Sequence, residues 1–382
     1  MDNNNSEPWN LSLEKRVLEL KEAKKARKKI AIILYPEEDK ASSFRYRGYN
    51  IYQTTKNSSK WQLIYFFLNE IDTVFKYVPE AKILIFGRIT RWSPRFDELA
   101  EIARKNNVRI LQDLDDCVCG TKYVKDMFNV VSPDFIDQEY WINTCAHYEL
   151  ISYLADGFIV TNDYLGEKLS KAHDNKSYKV IKNFLNKEQI SLASAIKKNN
   201  PNDFTIGYFS GSHTHLTDFE VAYPELLQLL SDHKDIKLEI VGMLDLPKST
   251  ERFIKDGQIT YHPMVDFLTL EKLQAAVDVN IAPLADNIFA NCKSDLKFFE
   301  AGLVKTPTVA SPTFAFAKAI SNGENGFLCN PGEWYEAILK LYHDKELRAK
   351  IAENAYRYVM DNYTPENNLK QIEEVYDYYA GE

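Results

Sequence analysis

Short apolar runs rich in Ile, Val and Phe recur along the chain, separated by longer stretches in which apolar positions return every three or four residues. KIAIILY (29–35), AKILIFG (81–87), VRILQDL (108–114), GFIVTN (157–162) and YKVIKNF (178–184) read as buried strands. A strand covered on both faces has no polar side to show, so its sequence is a near-continuous apolar run. Between these runs, WQLIYFFLNEIDTVFKYV (61–78) and FDELAEIARKNN (96–107) carry helical spacing. Alternating strand and helix predicts a parallel, doubly wound sheet.

The polar stretch KKNNPND (197–203) is the best linker candidate, and a second series begins after it. FTIGYFSG (204–211), KLEIVG (237–242), QITYHP (258–263), VDVNIAPL (277–284), TPTVASP (306–312) and GFLCN (326–330) are its expected strands. The chain closes on three helical patterns, PGEWYEAILKLYHD, KELRAKIAENAYRYVMDN and PENNLKQIEEVYDYYA, which either cap the second unit or cross back to the first. With two α/β units in tandem, the loops leaving the strands are the places to seek chemistry, because ligands of open α/β sheets bind beyond the carboxyl ends.

With 382 residues, 45% of them hydrophobic, the chain can bury a large core in two or more domains. A formal net charge of −8 lacks the basic excess of a nucleic-acid binder, so any anion site is local. Cys117, Cys119, Cys145, Cys292 and Cys329 show no repeated CxxC spacing and read as reduced thiols of a cytoplasmic protein. No apolar run approaches the roughly 18 residues of a membrane span, and MDNNNSEPWN is too polar for a signal peptide. Residues 11–29 form a basic helical segment with Leu11, Leu13, Val17, Leu18 and Leu20 among its apolar positions. The expected role is a solvated helix packed by one stripe; contact with the inner face of a membrane is the alternative.

Candidate chemistry begins at NCKSDLKFFEAG (291–302). Ser294 is placed as an N-cap, with Leu296, Phe299 and Leu303 as an inward stripe. Lys293 and Lys297 then flank a helix start, the end that already carries about half a positive charge and normally attracts acids. An anion at the helix start resolves the conflict, and two lysines beside it suit a diphosphate. Glu300, on the same face one turn on, could accept from ribose hydroxyls; the alternative is an i,i+3 surface pair with Lys297. GYFSGSHTHLTDF (207–219) offers Gly207, Ser210, Gly211 and Ser212 for close backbone approach to phosphate, with His213 or His215 as added donors.

In the first unit, SSFRYRGYNIYQ (42–53) reads as a strand-end loop in which Ser43, Arg45, Tyr46 and Arg47 recognise a phosphate or polar acceptor. QDLDD (112–116) sets Asp113, Asp115 and Asp116 at another strand end, where three acids call for a cation, a hydrogen-bonded ligand or solvent. Its D-x-D spacing resembles a haloacid-dehalogenase-type phosphatase, with Asp113 as nucleophile and Asp115 as acid/base, although Cys117 stands where that family has Thr or Val. Cys117-x-Cys119 reads as a pair of buried thiols in preference to a zinc site.

Taken in order, the Gly/Ser loop, THLTDF (214–219), IAPL (281–284), NCKSDLKFFEAGLVKTPTVAS (291–311) and NGENGFLCNPGEW (322–334) resemble the C-terminal half of family 4 (group 1) glycosyltransferases. The likeness runs from 204 to about 365 and is nearest the bacterial surface-polysaccharide branch with a KSxLKxxE motif. FRYRGY (44–49) and LQDLDD (111–116) match more loosely. This resemblance implies the α/β GT-B fold, two Rossmann-like doubly wound domains facing across a cleft. The acceptor domain would be 1–198, the donor domain 199–364, and a C-terminal helix, 365–382, would return to the N-terminal domain. It also implies that Lys293 and Lys297 meet the donor diphosphate and that Ser294, Asp295 and Leu296 offer backbone N–H groups. Glu300 would bind the nucleotide ribose, Gly211 and Ser212 would lie near the phosphates, and the HPM stretch with Met264 would line the base pocket.

The implied activity is retaining transfer of a hexose or deoxyhexose from a nucleotide diphosphate sugar to a glycan, lipid-linked or protein acceptor, in surface polysaccharide or glycoconjugate synthesis. Asp115 and Asp116 would orient the acceptor hydroxyl, and Lys297 would offset charge on the leaving diphosphate. No cofactor and no metal is expected. Two features depart from the family pattern. The first glutamate of E-x7-E falls on Cys292, where Asn291, Asn287 or Asp286 would substitute, and His213 and His215 stand where Arg and Lys are usual. The first departure keeps open a catalytically degenerate glycan-binding or partner protein of the same fold.

Overall fold

The computed structural model describes residues 7–36, 42–89, 92–118, 120–125, 135–196, 203–211, 216–244 and 246–381. They form two compact units, the first drawn from Met1–Lys125, Asp134–Phe184 and Pro365–Glu382, and the second containing Leu185–Thr364.

In the first unit β1 (Lys29–Tyr35), β2 (Trp61–Phe67), β3 (Ile83–Gly87), β4 (Arg109–Leu114), β5 (Gly157–Val160) and β6 (Ser177–Val180) form a parallel sheet in the order β2-β1-β3-β4-β5-β6. The assignment of 61–78 to one helix is corrected here: WQLIYFF is a strand, and the helix is confined to Ile71–Tyr77. All seven residues of β2 are buried, so its apolar run fits either period, and the aromatic and branched side chains favour the pleated form. Residues 42–55 are also corrected. They are helical, with a π-helical segment at Arg45–Asn50, where the sequence suggested a loop. The side chains of Phe44, Tyr46, Tyr49 and Tyr52 go into the core, which a solvated loop could not do.

The basic helix Leu13–Lys25 packs through Arg16, Leu20 and Ala23, while Leu18 is 55% exposed. Arg16 is the unexpected member: it reaches the Tyr65 carbonyl at 2.8 Å and both carboxylate oxygens of Glu70. The last helix, Pro365–Ala380, is part of this first unit. The Trp61 indole N–H donates to Asp377 at 2.8 Å, Tyr376 stacks edge-on to Trp61, and Tyr379 Oη donates to the carbonyl of Phe158 at 2.9 Å.

The second unit holds β7 (Phe204–Ser210), β8 (Ile236–Gly242), β9 (Ile259–His262), β10 (Val279–Ala282), β11 (Thr308–Ala310) and β12 (Phe327–Leu328), all parallel, in the order β12-β11-β10-β7-β8-β9. Counted within the unit this is the 3-2-1-4-5-6 order of a Rossmann sheet. Strand order reverses between β7 and β10, and the loops that leave those strands carry most of the candidate residues. Beside them, Gly242 closes β8 with φ +111°, and a Cβ there would lie 1.8 Å from the Ser210 carbonyl oxygen. Only glycine fits.

Candidate functional site

Lys293 and Lys297 lie in consecutive pieces of the segment after β10. Asn287 caps the short helix Ile288–Cys292 by accepting from Ala290 N at 2.8 Å, and Lys293 ends that helix in extended backbone. The helix Leu296–Leu303 then starts, with Asp295 rather than Ser294 at its N-cap. The Asp295 side chain does not cap it; its carboxylate accepts from Tyr363 Oη instead. A first turn that its N-cap side chain leaves uncapped can offer backbone N–H groups to a ligand.

The two lysines differ. Lys293 Nζ is 3.3 Å from Asp218 Oδ2 and 4.9 Å from the centre of the Phe289 ring. Asp218 is itself only 1% exposed and takes the backbone N–H of Ala285 at 3.0 Å, so it ties the loop after β10 to the Leu216–Glu220 helix. Lys297 Nζ is out of contact with solvent and has no hydrogen-bond partner among the described residues, though its stem remains partly exposed. The ammonium sits 4.7 Å from the centre of the Tyr208 ring. Burial and the neighbouring Lys293 pull its pKa down to about 8, against the opposite pull of Asp218 and Glu300.

Below the lysines, Asn280 Nδ2 donates to the carbonyl of Lys297 and to Thr308 Oγ1, both at 3.0 Å. This fully buried amide pins the first turn of the helix to β10 and β11. Sequence reading missed Asn280; its signal was a lone polar residue inside the apolar run VDVNIAPL. Glu300 is 4% exposed and accepts from Gln189 Nε2 at 3.4 Å, while Gln189 Oε1 completes a capping box with Asn186. The solvent-exposed pair of Lys297 and Glu300 is therefore replaced by two buried groups. The inward stripe is also wider than expected, running through Phe298, Phe299, Ala301 and Leu303, with Leu296 only half-buried.

Asn291 is committed to the fold: its amide donates to Asp286 at 3.1 Å and its Oδ1 accepts from Phe314 N at 2.8 Å. Cys292 is fully buried. Gly211 is exposed just past β7, and a Cβ there would meet no described residue within 4 Å. Ser212, His213 and His215 lie outside the described residues. Ser294 is half-buried in the link between the two helices. Met264 is 52% exposed just after β9; Tyr261 on β9 and Met243 just after β8 are 48% and 36% exposed. His262 Nε2 lies 3.1 Å from Glu239 Oε1.

In the first unit, the structure corrects the role suggested for Arg47. It is fully buried, donates to both carboxylate oxygens of Asp113 at 2.7 and 2.8 Å, and donates through Nη1 to the Ile181 carbonyl and Asn183 Oδ1. Neither side chain is left to meet an acceptor, and an Asp113 held in this way has no free oxygen for nucleophilic attack. Arg45 is 4% exposed and folds over the ring of Tyr46, itself 1% exposed, so these two also serve the core. Ser43 accepts from Tyr35 Oη at 2.9 Å.

Asp115 and Asp116 retain some exposure and share Arg88, whose Nη1 is 2.6 Å from one and 3.2 Å from the other. Arg88, at φ +46° just after β3, is the residue sequence reading missed here. No group of three or more His, Cys, Asp or Glu among the described residues is arranged to hold a metal ion. No helix among them is long and apolar enough to cross a membrane.

Residues 204–344 match the family described as "Glycosyl transferases group 1". No curated protein matches the chain by sequence. Among solved structures the chain is similar to HepE of Anabaena, solved with UDP, at 16% identity over 91% of this chain and 99% of that one, with a TM-score of 0.58. It is similar to a glycosyltransferase from Rickettsia africae ESF-5 at 13% identity over 92% and 98%, TM-score 0.63. The sucrose-phosphate synthase of Thermosynechococcus elongatus gives 15% identity over 93% and 100%, TM-score 0.61. These likenesses establish the fold as GT-B, built from two Rossmann-like units.

Proposed function

We propose that the chain is a group 1 glycosyltransferase whose second unit binds a nucleoside diphosphate sugar at the start of the Leu296–Leu303 helix. One observation carries the reading: beside the paired Lys293, the buried ammonium of Lys297 has no partner among the described residues at an uncapped helix start. Desolvating an ammonium costs several kcal/mol, a cost that an arriving phosphate would offset. The match of residues 204–344 to the glycosyltransferase model supports the same assignment, as does the likeness to a fold neighbour solved with UDP-glucose.

In this reading Lys293, Lys297 and the first-turn N–H groups take up the charge that grows on the leaving diphosphate as the glycosidic bond breaks, without a metal. Glu300, held by Gln189, accepts from the ribose, and the surface of Met243, Tyr261 and Met264 receives the base. Transfer retains the anomeric configuration and moves a hexose or deoxyhexose to a carbohydrate, lipid-linked or protein acceptor in surface glycan synthesis. The first unit supplies the acceptor contacts, with Asp115 and Asp116 orienting the hydroxyl and Arg88 holding both carboxylates in place.

The test is a thermal-shift panel of UDP, GDP, dTDP, CMP and ADP, with NAD as control, with and without EDTA. Stabilisation by one diphosphate in EDTA supports the reading and names the base. No shift with any of them refutes it. A second reading, a degenerate glycan-binding protein, draws on the buried Cys292 in place of the usual glutamate. Turnover of any nucleotide sugar, lost in Lys297→Ala, would end that alternative.

A further inference from the structure

Lys293 and Lys297 have different surroundings in the free protein. Lys293 is already paired with a buried carboxylate, Asp218. Lys297 faces Tyr208 from β7, Lys293 from the preceding segment, Asp218 from the Leu216–Glu220 helix and Glu300 from its own helix. No acceptor among the described residues reaches its Nζ. An ammonium without an acceptor, next to a second ammonium and out of water, is poorly held as a cation.

We infer that, above neutral pH, a diphosphate enters this site together with one proton, which Lys297 takes from solvent as the phosphate oxygens supply the missing acceptors. The inference rests on the donor-site assignment and adds a regulation to it. In the free protein Lys297 is a lysine that loses its proton near pH 8, within the range burial and Lys293 impose. In the complex two negative charges beside Nζ return it to an ordinary, permanently charged lysine. The lysine that touches the ligand thus also makes affinity depend on alkalinity.

The measurement is calorimetric titration of the whole chain with UDP, and with GDP, dTDP and ADP, at pH 7.0, 8.5 and 9.0 in buffers of different ionisation enthalpy. The terminal phosphate of these ligands ionises near pH 6 and is fully ionised at pH 8.5, so the uptake is read at that pH. With a free-state value of about 8, uptake should be about 0.1 proton per ligand at pH 7 and about 0.7 at pH 8.5, and the dissociation constant should rise about tenfold from pH 7 to pH 9. Lys297→Arg, charged throughout, should show no uptake and a flat profile.

A diphosphate that binds the wild type with no uptake at pH 8.5 overturns the proton linkage and leaves the donor site standing. Uptake that persists in Lys297→Arg overturns the assignment to this residue. Failure of every diphosphate to bind at pH 7, where Lys297 is charged, overturns the donor site and the linkage with it.

Discussion

Replacing Asp113 by Asn tests whether this acid near the end of β4 is a nucleophile or a structural anchor. Both carboxylate oxygens accept from Arg47, at 2.7 and 2.8 Å, and the two side chains are 2% and 0% exposed. In Asp113→Asn one oxygen becomes an NH2 that points a donor at a guanidinium donor, and the Arg47 charge loses its counter-ion in a dry site. Breaking a buried pair from one side costs about 3–5 kcal/mol. Urea unfolding followed by tryptophan fluorescence is a suitable assay, because Trp9, Trp61, Trp92 and Trp141 are in the first unit and only Trp334 is in the second. With a slope of about 2–3 kcal/mol per M, the midpoint of the first unit should fall by about 1–2.5 M. The pair Arg47→Met with Asp113→Leu, which removes both charges, should recover most of the loss. A midpoint for Asp113→Asn within about 0.2 M of wild type would refute the anchor. A phosphatase nucleophile would instead leave stability unchanged and abolish Mg²⁺-dependent phosphate release.

Lys293→Ala strands the buried Asp218 carboxylate beside the proposed phosphate site, so UDP or its preferred analogue should bind at least tenfold more weakly, as judged by calorimetry. Gly242→Ala forces a Cβ onto the Ser210 carbonyl at positive φ and should destabilise the second unit by about 2–4 kcal/mol in scanning calorimetry. His173 is 3% exposed, has neither ring nitrogen hydrogen-bonded among the described residues, and packs against Phe158 and Tyr153. Burial lowers its pKa below 6.5, against the pull of Glu149. The unfolded chain then binds the extra proton first, so this group's contribution is intact above pH 6.5 and is lost as pH falls through the folded value. Chemical denaturation between pH 7.5 and 5 should show that decline in the wild type and a flatter one in His173→Phe; equal slopes would clear His173 of the effect.

Much of the second unit was legible because its strands are short apolar runs bounded by Gly, Pro or Asn, and each of the six appears within a residue or two of its expected place. The first unit was harder. A run such as WQLIYFF, buried on both faces, has no period, and 42–55 hides its helical character behind Arg45, Arg47 and Asn50, polar residues that turn inward. The candidate site was legible as a set of residues and illegible as electrostatics. Lys293 and Lys297 look equivalent in sequence, but the carboxylate that distinguishes them stands 75 residues from Lys293. Likewise Gln189 reaches Glu300 across 111 residues, and Arg88 meets its acids 27 and 28 residues away. Contacts of this kind arise from the juxtaposition of elements distant in sequence, which the sheet order determines.

The helix Pro365–Ala380 has a consequence for biosynthesis. Trp61 and Tyr376 are both fully buried, and the carbonyls of Phe158 and Ser177 are bonded to Tyr379, so the sheet of the first unit is finished by residues synthesised after the whole second unit. On the ribosome the order of maturation is inverted: Leu185–Thr364 is continuous and can close first, while the earlier-made sheet waits with an open apolar flank. At about 5–20 residues per second, that wait lasts roughly 10–40 s after Phe184 is made. Throughout it the nascent chain presents the apolar surface around Trp61 to chaperones and to neighbouring chains, and an early stop before residue 365 would make that exposure permanent.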